Sequence, residues 1–127
     1  MSQYIQHTKL PSGIHHYIWL SNSQDAMSEC AKIYKKMNAE ADPDSTILIL
    51  VDLRQSGPLS VQQLSYRMKD TGIRSDVTYR TAYISDDRSV PILMKSFALI
   101  NRVNSTQQFF GASQEEQAKE WLLNQQT

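Results

Sequence analysis

Thr46-Ile47-Leu48-Ile49-Leu50-Val51 is an unbroken apolar run, bounded by Asp42-Pro43-Asp44 before it and Asp52 after it. A strand with one wet face alternates apolar and polar residues; a run without alternation is expected of a central strand buried on both faces, in a largely parallel sheet. Parallel neighbours cannot be joined by a tight turn and need crossover segments, usually helices. The flanking sequence supplies them.

Upstream, Ser23 or Asp25 caps a helix running to about Asn38, with Met27, Cys30, Ala31, Tyr34, Met37 and Ala41 on one stripe at helical spacing. Before it, Ile14–Leu20 reads as a strand with Ile14, His16 and Ile18 on one face and His15, Tyr17 and Trp19 on the other. A turn at Pro11-Ser12-Gly13 folds it back on a short strand at Tyr4-Ile5. Downstream, Gln55-Ser56-Gly57-Pro58 is a turn, and Ser60 with Gln63 forms a capping box clasped by Leu59 and Leu64. That second helix turns Val61, Leu64 and Met68 inward and ends near Thr71-Gly72. Arg74–Arg80 reads as a solvated loop and Thr81–Ser85 as a short strand. Asp86-Asp87-Arg88-Ser89 supplies caps for a third helix, with Pro91 in its first turn and Val90, Leu93, Met94, Phe97 and Ile100 as its core stripe. Gln107–Phe110 is the last strand. Ser113 and Glu116 repeat the capping box for a terminal helix carrying Ala118, Trp121 and Leu122. The expected fold is α/β, a four- or five-stranded mixed, mostly parallel sheet with about four helices packed against it, in a single domain over residues 1–127.

The 127 residues carry 13 acidic and 13 basic side chains, so no overall field draws the chain to nucleic acid or to an anionic membrane. No apolar run is long enough to span a bilayer and no leader-like start is present; a cytoplasmic protein is expected. The single cysteine, Cys30, excludes an internal disulfide and Cys-based zinc clusters, and its place mid-stripe predicts a buried, inert thiol.

Thr81-Ala82-Tyr83-Ile84-Ser85, a helix holding Phe97, then Phe109-Phe110 and the ending Ala118, Trp121, Leu122 resemble the SpoIIAA-like branch of the STAS (anti-sigma-factor antagonist) superfamily, which is related in shape to lipid-carrying CRAL-TRIO domains. The likeness runs from about Ile14 to Leu123 and rests mostly on core positions. It implies a non-catalytic interaction or regulatory module that meets a protein partner or a second copy of itself; the alternative it implies is a small carrier or sensor of an apolar or amphiphilic ligand. Classical antagonist domains of that superfamily end the buried strand with an Asp-Ser pair before a helix, and that serine is phosphorylated by the partner kinase. Here the strand ends Val51-Asp52-Leu53 with no such pair, leaving Ser60, and less well Ser56, as candidate phosphoacceptors. The plainer role of Ser60 is an N-cap.

Three groups of residues merit attention beyond the core. Asp52, Arg54, Asp86, Asp87 and Arg88 follow predicted strands, and ligands of open α/β sheets sit outside the carboxyl ends of the strands, so these side chains are expected to border one crevice. Asp86 and Asp87 could equally cap a helix and Asp52 begin a turn. On the third helix, Ile92, Lys95, Leu99, Arg102 and Val103 lie opposite the core stripe, an aliphatic row rimmed by positive charge that suits a partner face. His7, His15 and His16 have no metal-ligand spacing, and neighbours on a strand point to opposite faces, so His15 and His16 cannot share a metal. No GxGxxG, Walker or GxSxG motif occurs, and neither a metal nor any other cofactor is expected; nor is catalysis.

Overall fold

The computed structural model describes residues 4–59, 71–92 and 104–124. Its centre is a five-stranded sheet in the order β1-β2-β3-β4-β5, with β1 Ile5–Lys9, β2 His15–Trp19, β3 Thr46–Asp52, β4 Thr78–Ile84 and β5 Ser105–Phe110. β1 and β2 form an antiparallel hairpin; β2, β3, β4 and β5 run parallel. The apolar run is therefore the middle strand, and every residue of β3 after Thr46 is buried.

Side-chain parity splits β3 between two cores. Ile47, Ile49 and Val51 face helix α1 (Gln24–Glu40) together with Tyr17, Trp19, Tyr79 and Tyr83. Leu48 and Leu50 face the opposite side with Ala82 and Ile84, beneath Ala118 and Leu122 of helix α2 (Glu115–Leu123). Helix α1 begins where Ser23 Oγ accepts the Ala26 N–H at 3.1 Å, the cap expected, and presents Met27, Cys30, Ala31 and Met37 to the sheet. It runs two residues beyond Asn38, to Glu40.

Asn38 explains that extension. Its side chain is fully buried, donates to the Thr71 carbonyl at 2.7 Å and accepts from the Tyr79 hydroxyl. The Arg74 guanidinium donates to the carbonyls of Asn38 and Ala41. A buried amide is tolerated because its polar atoms are met, and the result ties the end of α1 to the start of β4.

Several expectations need correction: β1 runs on from Ile5 to Lys9 and β5 starts at Ser105, two residues before Gln107. Residues 74–80 are not wholly a solvated loop: β4 starts at Thr78, three residues before the expected Thr81, because Val77 and Tyr79 are buried in the α1-side core. The terminal helix is not capped by Ser113. Its first helical bond runs from the Ala118 N–H to the Gln114 carbonyl, so Gln114 is the cap residue, and the Gln114 side chain bonds the Gly111 N–H instead. The Ala112 N–H goes to Asp86 Oδ1 at 2.9 Å. The far end of α2 is held by Arg80, which lies 3.8 Å over the Trp121 ring and donates to the carbonyls of Trp121 and Asn124, placing a cation where the helix dipole is negative.

Of the four expected helices, α1 and α2 are described. The helix expected from Ser60 lies outside the described residues; of the third, the turn at 89–92 is described, with Val90 buried as expected. Among the described residues no helix is long and apolar enough to cross a membrane.

Candidate functional site

β3, β4 and β5 end side by side, held in step by the Leu53 N–H bond to the Ile84 carbonyl and the Ser85 N–H bond to the Phe110 carbonyl. Past these ends lies an open crevice of about 360 Å³ whose walls include Arg54, Ser56, Ser85, Asp86 and Asp87. This is the place the sequence marks, and the expected side chains divide there into several roles.

Asp52 and Arg54 do come together. Arg54 Nε donates to Asp52 Oδ1 at 2.9 Å and Nη2 to Oδ2 at 2.6 Å, a two-pronged pair, while the Arg54 backbone N–H bonds the same carboxylate. Nη2 also reaches Glu115 Oε1 at 2.6 Å and Nη1 reaches the Ala112 carbonyl at 2.9 Å. The Asp52 side chain is 4% exposed against 33% for Arg54. Burial alone would push the Asp52 carboxyl up; the Arg54 bonds outweigh it and hold the pKa below the ordinary carboxylate value. The Glu115 carboxyl is likewise held down, by Lys119 and Arg54. An acid kept ionised with its lone pairs committed to a guanidinium is a poor proton acceptor. Chemically this arrangement is a clasp between the end of β3 and the start of α2.

Asp86 borders the crevice but is turned to the Ala112 N–H, and Gly111 sits close beside it, where a Cβ would come within 3.2 Å of Asp86 Oδ1 and press on that carboxylate. Asp87 caps the turn at 89–92: its Oδ1 accepts the Ser89 N–H at 2.9 Å and the Ser89 hydroxyl at 2.7 Å, which lowers its pKa. Arg88 is exposed and is not part of the crevice wall. Ser56 is buried, its hydroxyl donating to the carbonyls of Leu53 and Gly57, so phosphorylation there requires the turn to open. Ser60, Lys95, Leu99, Arg102 and Val103 lie outside the described residues; Ile92 is 72% exposed.

A second concavity opens at the opposite, amino end of the parallel strands. It encloses about 580 Å³ between the β1–β2 hairpin and the last turns of α1. Ile33, Met37, Ala41 and Ile47 supply its apolar lining; His7, Lys9, His15, Lys36, Glu40 and Asp42 supply its polar and charged lining. His7 Nε2 and His15 Nδ1 are 3.1 Å apart in rings only 3° from parallel, so one imidazole donates its N–H to the other's lone pair. His7 stacks on Tyr17 at 4.5 Å, and the Tyr17 hydroxyl donates to Met37 Sδ. Burial, with Lys36 adding to it, lowers the His7 pKa; burial, His7 and Lys9 bring His15 to about 4, against a smaller opposing influence of Glu40. Both rings are therefore neutral near pH 7. His16, on the other face as expected, is also lowered by burial, and its Nε2 is buried without a hydrogen-bond partner among the described residues.

The strand-parity argument separates His15 from His16 but says nothing of His7. The signal was in the hairpin: with Lys9 opposite His15 and His7 opposite Tyr17, all four side chains share the α1 face. Among the described residues no three His, Cys, Asp or Glu side chains converge as a metal site. Comparison with family models, curated proteins and solved structures found no match, so the functional reading rests on these two edges of the sheet and on the STAS likeness stated above.

Proposed function

We propose that the chain is a non-catalytic binding module of the regulatory kind the STAS resemblance implies, and that it senses a small amphiphilic ligand held at the amino edge of the sheet. The observation that carries this reading is the cavity between the hairpin and α1. Its volume falls in the range of small-molecule sites, and it offers an aliphatic side, Ile33, Met37 and Ile47, against a polar one, His7, Lys9, His15 and Lys36. The carboxyl-edge crevice supports the reading by contrast: its strongest charges, Asp52 and Arg54, are already committed to each other. The test is native mass spectrometry of freshly purified protein, with melting measured against ten-carbon amphiphiles, for the parent and for Ile33→Trp, which fills the apolar side. A co-purified mass or a melting shift, absent in Ile33→Trp, supports the proposal; neither effect in the parent refutes it.

A second reading, contact with a protein partner or a second copy through the face that begins at Ile92, is favoured by the exposure of that side chain two residues after buried Val90. Ile92→Asp would then abolish a dimer or a captured partner seen by light scattering or native affinity purification. Unchanged assembly and unchanged partners would dispose of it.

A further inference from the structure

We infer that the amino-edge cavity selects an amphiphile by an anionic oxygen head group, carboxylate or phosphate, seated between Lys9 and Lys36 beside the His7–His15 pair, with its tail along Ile33, Met37 and Ile47. This rests on the reading of the cavity as a ligand site and specifies what that ligand must carry.

Lys9 and Lys36 approach the cavity from different elements, the end of β1 and the last part of α1, and neither forms an ion pair among the described residues. The cationic side chains that do pair, Arg54, Arg74 and Lys119, are elsewhere. Glu40 and Asp42 line the same cavity and likewise form no ion pair among the described residues, so the formal charges of the cavity balance and the attraction for a negative head group is local to Lys9 and Lys36.

The histidine pair adds direction. Joined by a single N–H···N bond, it holds one imidazole as donor and the other as acceptor. The accepting ring keeps an N–H and the donating ring keeps a lone pair, so the neutral pair offers one donor and one acceptor. A head group with acceptor oxygens meets that N–H, whereas a trimethylammonium, which has no N–H of its own, hydrogen-bonds to neither ring. Glu40 and Asp42 border the cavity at the end of α1 and in the loop after it. Burial is the chief cause of the lowered histidine pKa values; beyond it, Lys36 acts on His7, and Lys9 acts on His15 ahead of the opposing Glu40, which places both lysines beside the ring pair. The aliphatic residues lie on the sheet side and on α1, one helical turn apart at Ile33 and Met37, and so form a continuous path for a tail.

The experiment measures binding of decanoate, decyl phosphate, decanol and decyltrimethylammonium by isothermal titration at pH 7.5, to the full chain and to a Lys9→Gln/Lys36→Gln variant whose melting point serves as the folding control. Two partly screened ammonium groups correspond to a preference of about tenfold or more for the anions over decanol. The expected result is that preference in the parent, its loss in the double variant, and unchanged decanol affinity in both. The tighter of decanoate and decyl phosphate identifies the head group. Equal affinity for decanoate, decyl phosphate and decanol, or a preference that survives the double substitution, overturns the anion inference and leaves the amphiphile site standing. No binding of any of the four overturns both.

Discussion

Replacing Arg54 by Met removes the guanidinium while keeping a similar unbranched stem, and the loss is concentrated on one neighbour. Asp52 is left as a carboxylate 4% exposed, with only the backbone N–H of residue 54 still bonded to it. Breaking a fully buried pair by removing one partner costs about 3–5 kcal/mol. Arg54 is one-third exposed, so water recovers part of the interaction and about 2–3 kcal/mol remains. Glu115 and the Ala112 carbonyl are more open, and losing their bonds to Arg54 adds at most about 1 kcal/mol. The urea midpoint is expected to fall by about 1–2 M at pH 7. The pH dependence supplies the sharper check. In the parent the folded Asp52 pKa lies below its unfolded value, so its contribution is present above the unfolded pKa and is lost as pH falls through the folded one. In Arg54→Met the burial persists without the guanidinium, the folded pKa moves above the unfolded one near 4, and protonation relieves the penalty. The gap between parent and variant must therefore narrow from pH 7 to pH 4. A deficit below about 0.5 kcal/mol at pH 7, or one that does not narrow on acidification, would refute the clasp as a source of stability.

Leu50→Ala, at the centre of the α2-side core, is expected to cost about 3–4 kcal/mol in chemical denaturation. Ser23→Ala should cost about 1 kcal/mol by removing the cap of α1, whereas Ser113→Ala, which removes no cap, should stay within about 0.5 kcal/mol in the same assay. The Cys30 thiol is buried and its pKa pushed up by that burial, so a thiol reagent should label it only as fast as the protein unfolds, with no native-state burst. His15 has a folded pKa near 4, below its unfolded value of about 6.5, so its share of stability is complete above pH 6.5 and is lost between there and pH 4; His15→Gln should flatten the fall of stability across that window.

Elements whose residues are uniformly apolar or carry their own caps were legible. β3 and α1 could be placed because burial on two faces and a helical stripe each leave a one-dimensional pattern. β4 was placed late because Val77 and Tyr79 are buried among charged neighbours, Arg74, Asp76 and Arg80, that make the segment look solvated. Those charges are absorbed by particular bonds: Arg74 to Asp76 and to the carbonyls ending α1, Arg80 to the carbonyls ending α2. A charged residue whose partner is a distant helix end cannot be told, in one sequence, from a charged residue facing water. The same holds for the loop before α2, where Asp86 takes the Ala112 N–H and the Gln114 side chain takes the Gly111 N–H, bonds that local sequence does not announce.

The two edges of the sheet show why site residues were harder to read than core residues. At the carboxyl edge, chain topology brings the strand ends together, and Arg54, Asp86 and Asp87 lie on the crevice wall while Asp52 and Arg88 do not. What topology could not say is which of those charges pair off and which stay available. Asp52 and Arg54, two residues apart at the end of β3, look like neighbouring ligands until Glu115 is brought in by α2 and the set closes on itself. At the amino edge the order of difficulty reverses. Among the described residues no acid forms an ion pair with Lys9 or Lys36, but their nearness depends on the hairpin register and on α1 lying across the same face as odd-numbered β1 and β2 residues. Paired charges at a strand end thus point to a structural joint, and charged side chains that converge without pairing on a partly apolar cavity point to a ligand. That distinction, rather than conspicuous residue types, is what directs the functional proposal to the amino edge.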